Sequence, residues 1–207
     1  MKLSSIYATG VRAKLAAVAA ISLAALLLSA GSASACSYSG AEQVFGAWGD
    51  QRSYVLAPDG GFEAGGQGWA LSGGASVVAG NESYYLNDAA DSRSLSLPSG
   101  SSALSPPICM SLDTPMFRML ARNGADSGSR LRVEATYRLL GLVRTKTVSS
   151  VPAGVSWAPT QQMSTVLTLS TIVGTLIPSS IQIRITPLDS RGAWQVDDLY
   201  IDPFSRR

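Results

Sequence analysis

Two carboxylates stand side by side near the end of the chain, in GAWQVDDLYIDP at residues 192–203. Asp197 and Asp198 interrupt a run of Trp, Val, Leu, Tyr and Ile that otherwise reads as a core strand. Adjacent like charges repel, and burying either one without a partner is costly. Something must compensate them, or one must face water. Acid catalysis is the other use for such a pair. A glycosidase needs two carboxyl groups at a set separation across a sugar site. Glutamates are scarce after the first 35 residues, with Glu42, Glu63, Glu82 and Glu134 only, and no catalytic motif surrounds them. Glu134 alternates with arginines and reads as a solvated face. The chain has no histidine, which excludes Ser-His-Asp and Cys-His machinery and the usual zinc ligand sets. A Ser-Lys pair would have to use Lys146, in VRTKTV, which has no serine motif beside it. The expectation is a protein that is not an enzyme.

Aromatic side chains offer the second chemistry. Sugar rings stack on Trp and Tyr faces while polar neighbours bond their hydroxyls. Trp48, Tyr84, Tyr85 and Trp157 are the candidate platforms, with Arg118, Arg122 and Asn123 as polar partners; Trp69 and Trp194 read as core. Tyr84 and Tyr85 fall in a predicted strand, Ser83–Leu86, which would turn one outward and the other inward. Asn81-Glu82-Ser83 formally matches a glycosylation sequon.

Residues 1–35 have the grammar of a secretory signal peptide. Lys2, Arg12 and Lys14 lead, Leu15–Leu28 is an apolar run short for a membrane span, and Ala33-Ser34-Ala35 forms an A-x-A cleavage pattern. Cleavage there would leave Cys36 first. The only other cysteine is Cys109. In an exported chain two cysteines most simply form one disulfide. The alternative is lipidation of Cys36, which would tether the protein to a membrane and leave Cys109 a free thiol. The leader holds three of the sixteen basic residues and none of the fourteen acidic ones, so the remainder carries a formal charge of −1. With no basic patch, nucleic acid is not an expected partner. The bias toward Arg, Ala and Gly resembles the proteins of high-GC bacteria.

The elements that must position these groups are strand-like nearly throughout. Leu131, Val133, Ala135 and Tyr137 alternate with Arg132, Glu134, Thr136 and Arg138, and Ile181, Ile183 and Ile185 with Gln182, Arg184 and Thr186. Period two marks strands with one buried face. Further strands are predicted at 69–71, 75–78, 94–97, 115–121, 145–149, 165–169 and 194–201. Between them lie turn signals such as PDGG at 58–61, SGG at 72–74, PSGSS at 98–102 and PAG at 152–154. Ala158 to Leu169 is the one stretch that would also suit a short helix. About ten short strands with frequent turns argue for an all-β, two-sheet antiparallel sandwich in a single domain at 57–207. Residues 36–56, with Tyr38, Phe45, Trp48 and Tyr54, read as an N-terminal arm packed on it.

The two ends of this domain carry a resemblance. LAPDGGFEAGGQGWALSGG, residues 56–74, and WQVDDLYID, residues 194–202, are similar to the first and last strands of galactose-binding-like jelly rolls, a fold used by many bacterial carbohydrate-binding modules. The resemblance covers about residues 56–86 and 181–203 best. It implies that the first and last strands lie together and, as in many members, hold a structural calcium; the alternative is that both acids cap a strand end and bind no metal. Matched residue by residue, its ligands would be Glu63, Asp197 and Asp198, with carbonyls of the 58–61 turn completing an oxygen shell. PDGG departs from the Asn-Gly often found at this place. The implied function is a secreted binding module for a carbohydrate or cell-envelope glycan; the competing expectation is a structural or adhesive exoprotein with no sugar site.

Overall fold

In a computed structural model, the structure describes residues 38–109, 116–124, 128–139, 142–164, 180–188, 190 and 192–202. The chain parts into two units, Met1–Ala35 and Cys36–Arg207, and every described residue lies in the second. The signal-peptide reading, Cys36 and the predicted strand at 165–169 lie outside the described residues.

The fold is a two-sheet antiparallel β-sandwich of jelly-roll type. The strands in chain order are β1 (Val55–Leu56), β2 (Ala70–Ser72), β3 (Ser76–Ala79), β4 (Arg93–Pro98), β5 (Ser102–Leu104), β6 (Ile108–Cys109), β7 (Met116–Asn123), β8 (Arg130–Leu139), β9 (Leu142–Pro152), β10 (Ala158–Pro159), β11 (Met163–Ser164), β12 (Ser180–Pro187) and β13 (Ala193–Asp202). One sheet runs β10-β7-β13-β4-β3, with β1 added on β13 and β11 on β7; the other runs β2-β5-β12-β8-β9, with β6 added on β12. The stretch that also suited a short helix instead carries β10 and β11 at its start. Threonines and serines there, with Pro159, favour short extended segments over a helix.

Alternation does what the sequence pattern requires. Along β12, Ile181, Ile183 and Ile185 are buried between the sheets, opposite Tyr137, Ala135 and Val133 of β8. From the other sheet Leu95, Leu97, Phe117, Met119, Trp194, Val196, Leu199 and Ile201 meet them, with Phe62 and Trp69 sealing one end. Trp69 and Trp194 are therefore core. Trp194 is 1 % exposed, and its indole N–H donates to Ser129 Oγ (2.8 Å), which satisfies its one polar atom.

The β7/β13 sheet also has a covered outer face. Leu120 and Tyr200 point away from the sandwich, one step out of phase with Met119 and Leu199. They form a second apolar cluster with Phe45, Tyr54 and Trp157. The arm supplies Phe45 and Tyr54, both 0 % exposed, and the Tyr54 ring lies edge-on to Phe45 at 5.0 Å. The Tyr38 hydroxyl donates to the Cys109 carbonyl. The arm's last two residues, β1, pair with Ile201 and Tyr200 of β13.

Candidate functional site

The adjacent carboxylates owe their placement to a break in the pattern of β13. Trp194, Val196, Leu199 and Ile201 all enter the inter-sheet core, so the spacing between inward residues is two, then three, then two. The register against β7 shifts between Asp197 and Tyr200, and Asp198 has φ of 50°. An extra residue in one strand is a β-bulge. It keeps both carboxylates out of the apolar core, although each is fully buried.

Their environments differ. Asp197 Oδ2 accepts the Glu82 amide (3.1 Å) and Oδ1 accepts the Asp198 amide (2.9 Å). Neither oxygen of Asp198 has a hydrogen-bond partner, although both are buried. Burial raises the pKa of both groups. The charge of Asp198 adds to the rise at Asp197, and those of Glu82 and Asp91 to the rise at Asp198. The Asn87 backbone amide favours the charged form of Asp198 from outside hydrogen-bonding geometry.

PDGG closes over Asp198. A Cβ on Gly60 would stand 2.6 Å from the Leu199 carbonyl oxygen. One on Gly61 would stand 3.1 Å from Asp198 Oδ1 and 3.9 Å from both Asn87 Nδ2 and Asp91 Oδ2. Gly60 is therefore needed for close approach of the first turn to the last strand, and a side chain at Gly61 would press on the Asp198 carboxylate. Glu63 follows at the same end, but its oxygens are engaged: Oε1 accepts the amides of Ser92 (2.8 Å) and Arg93 (2.7 Å). Among the described residues no three acidic side chains form a ready metal-binding group. Of Glu63, Asp197 and Asp198, only Asp198 is left without partners. A buried, uncompensated carboxylate facing Asn87 and Asp91 has the oxygen-rich chemistry that suits a hard cation.

The aromatic candidates divide. Residues 83–86 are not a strand. Glu82 reaches forward to accept the amides of Tyr84 and Leu86 (2.6 Å for the latter), and Tyr85 has φ of 53°. This carboxylate-held turn exposes both tyrosines, Tyr84 by 46 % and Tyr85 by 52 %. The one-in, one-out expectation fails because a side-chain acceptor captured the backbone donors a strand would have used. Tyr84 lies edge-on to half-buried Trp48 at 4.8 Å, and its hydroxyl donates to the Trp157 carbonyl (3.1 Å).

Trp157 is not available to a ligand. It is buried against Leu120 and the arm, with the Arg122 guanidinium 5.0 Å above its ring. Asn123 is also corrected. It is 1 % exposed, its Oδ1 accepts the Ala193 amide (3.1 Å), and its own amide donates to the Gly154 carbonyl (2.7 Å). Arg122 Nε bonds Gln195 Oε1 at 2.6 Å. The sequon residue Asn81 has both side-chain amide atoms buried, which leaves no room for a glycan.

Arg118 proves the most connected of the candidates. Its Nη1 donates to Asp50 Oδ2 and its Nε to the Thr160 carbonyl, both at 2.8 Å, and its guanidinium carbon lies 4.7 Å from the centre of the Phe45 ring. Asp50 was not singled out by its sequence context, GAWGDQRS, which reads as a polar loop. Burial works to raise its pKa. Hydrogen bonds from Gln162, Tyr54 and Arg118 and from the Arg52 amide outweigh burial and bring it down to about 2.

Cys109 is disulfide-bonded, and no free cysteine is present among the described residues.

No protein-family model matches the chain, and no curated protein matches it. Solved structures do. The CBM22-1 xylan-binding domain of Paenibacillus barcinonensis Xyn10C is 16 % identical, with a TM-score of 0.47 over 74 % of this chain and 99 % of that one. A Clostridium thermocellum endo-1,4-beta-D-xylanase 10B fragment, holding CBM22-1 and GH10 modules complexed with xylohexaose, is 15 % identical with a TM-score of 0.47. There the match covers 72 % of this chain and 28 % of that one. TmCBM61 in complex with beta-1,4-galactotriose is 15 % identical, with a TM-score of 0.44 over 70 % of this chain and 96 % of that one.

Proposed function

We propose that this chain is an exported, non-catalytic binding module that recognises a polysaccharide or cell-envelope glycan. The observation that carries the reading is the pair of exposed rings Tyr84 and Tyr85, with half-buried Trp48 edge-on to Tyr84. Exposed rings on a turn held rigid by Glu82 are suited to stacking on sugar faces, and they lose little conformational freedom on binding. Cys36, the sequence's only other cysteine, is the partner proposed for Cys109, in keeping with an oxidising compartment. Calcium is proposed at Asp198, with Asn87 and Asp91 as further oxygen donors and Asp197 and Glu63 ordering the backbone around it. Bound there, the ion would supply charge neutralisation that fixes the first turn against the last strand.

The test is binding of the purified protein to soluble and insoluble polysaccharides, peptidoglycan included, followed by tryptophan fluorescence. Saturable binding that drops about tenfold or more in a Tyr84→Ala/Tyr85→Ala variant supports the module. A folded protein that binds nothing across the panel would instead be a structural or adhesive exoprotein.

A further inference from the structure

The arm and the strands beneath it frame an open cleft of about 490 Å³, lined by Trp48, Asp50, Gln51, Arg52, Arg118 and Gln162. Clefts that take small ligands fall at ~300–1,000 Å³. Its floor is built. Asp50, 7 % exposed, accepts from Tyr54 (2.7 Å), Arg118 (2.8 Å), Gln162 (2.8 Å) and the Arg52 amide (3.2 Å). Arg118 is clamped by this carboxylate, by the Thr160 carbonyl and by the Phe45 ring. Its Nη2 has no acceptor among the described residues, and neither do the Gln51 side-chain amide and Gln162 Oε1 find partners there. One wall is the Trp48 indole, whose other edge meets Tyr84.

Each cation lining this cleft has a carboxylate partner. Asp50 is paired with Arg118 at 2.8 Å, and Asp202, buried outside the lining, is paired with Arg52 at 3.4 Å, so an anionic ligand would have to compete with a carboxylate for either guanidinium. The remaining donors and acceptors, fixed beside an aromatic wall, match the hydroxyls and apolar face of a neutral sugar ring. We infer that this cleft is the subsite for one neutral pyranose of the glycan, an inference that rests on the carbohydrate reading above. Trp48 takes the apolar face of the ring, and Arg118 Nη2, Gln51 and Gln162 bond its hydroxyls. Asp50 does not touch the sugar; it is a positioning residue that holds Arg118.

The experiment titrates the purified protein with neutral gluco-, manno-, galacto- and xylo-oligosaccharides and, separately, with uronate oligosaccharides, by calorimetry. A Gln51→Ala/Gln162→Ala variant alters two exposed side chains; because Gln162 also donates to Asp50, a lower melting temperature is expected, and a cooperative melt with the parent's circular dichroism confirms that it folds. Expected is binding of at least one neutral oligosaccharide that weakens about tenfold or more in this variant. A Tyr85→Ala variant should lose less. Binding that survives Gln51→Ala/Gln162→Ala but falls with Tyr85→Ala overturns the cleft and leaves the carbohydrate reading standing. Binding of uronates alone overturns the neutral-sugar assignment. No binding to either set, by folded protein, overturns both.

Discussion

At the scale of single residues, burial sets opposite tasks for Asp198 and Asp50. Asp198 is a buried carboxylate with nothing to accept from, so its charge destabilises the fold unless a cation compensates it. Replacement by Asn removes the charge while keeping the shape, and Asn tolerates the left-handed backbone at φ of 50°. With calcium chelated, Asp198→Asn should therefore melt at or above the wild-type temperature. Calcium should raise the melting temperature of the wild type and leave the variant unmoved. An equal calcium response in both proteins would remove Asp198 from the ion site.

Asp50 is the reverse case, a carboxylate whose ordinary pKa of 3.8 is lowered to about 2 by its donors. A depressed native pKa contributes stability that is present above about pH 4 and lost as the pH falls toward 2. The size of the loss is set by the hydrogen bonds that favour the ionised form over the protonated one. Acid titration of the melting temperature should show this limb between about pH 4 and 2. Asp50→Asn should flatten it and also destabilise the protein at pH 7, because Arg118 is then buried without its counter-charge. Truncating one side of such a buried pair costs on the order of 3–5 kcal/mol.

At the scale of elements, most strands were legible because burial on one face imposes period two, and β8, β12 and β13 fall within a residue or two of their predicted limits. The bulge in β13 was also legible in principle. The gap from Val196 to Leu199 is one residue too long for strict alternation, and the two acids fill it. The turn at 83–86 was not. Its alternation looks strand-like, and what overrides it is the Glu82 carboxylate taking the local amides, a competition that propensity does not register. β6 and β10, at two residues each, exist only because β12 and β7 offer them an edge.

At the scale of the whole molecule, the arm is part of the fold. Phe45 and Tyr54 cover Leu120, Trp157 and Tyr200, and Asp50 supplies the counter-charge to Arg118. A chain truncated to begin at Ala57 loses β1 and these contacts. Burying two large aromatics alone is worth about 4 kcal/mol, which translates to a loss of about 10 °C or more in a domain of this size. Aggregation or a melting temperature lowered by at least that amount is expected from thermal denaturation. A truncated protein that melts like the parent would mean the arm is merely draped.

The resemblance of its two ends to jelly-roll strands pointed to the meeting of PDGG with the Asp197–Asp198 strand. By itself the sequence determined the all-β class, the absence of histidine chemistry, and the core placement of Trp69 and Trp194. These follow from composition and from apolar spacing, both local properties. Tertiary structure alone decided which carboxylate lacks partners, that Trp157 and Asn123 are buried, and that Asp50, Arg118 and Gln162 meet under Trp48. Those residues are 44 to 112 positions from Asp50 or from one another. Their contacts arise when the arm closes over a sheet face whose neighbours are set by strand order, and no local pattern encodes strand order.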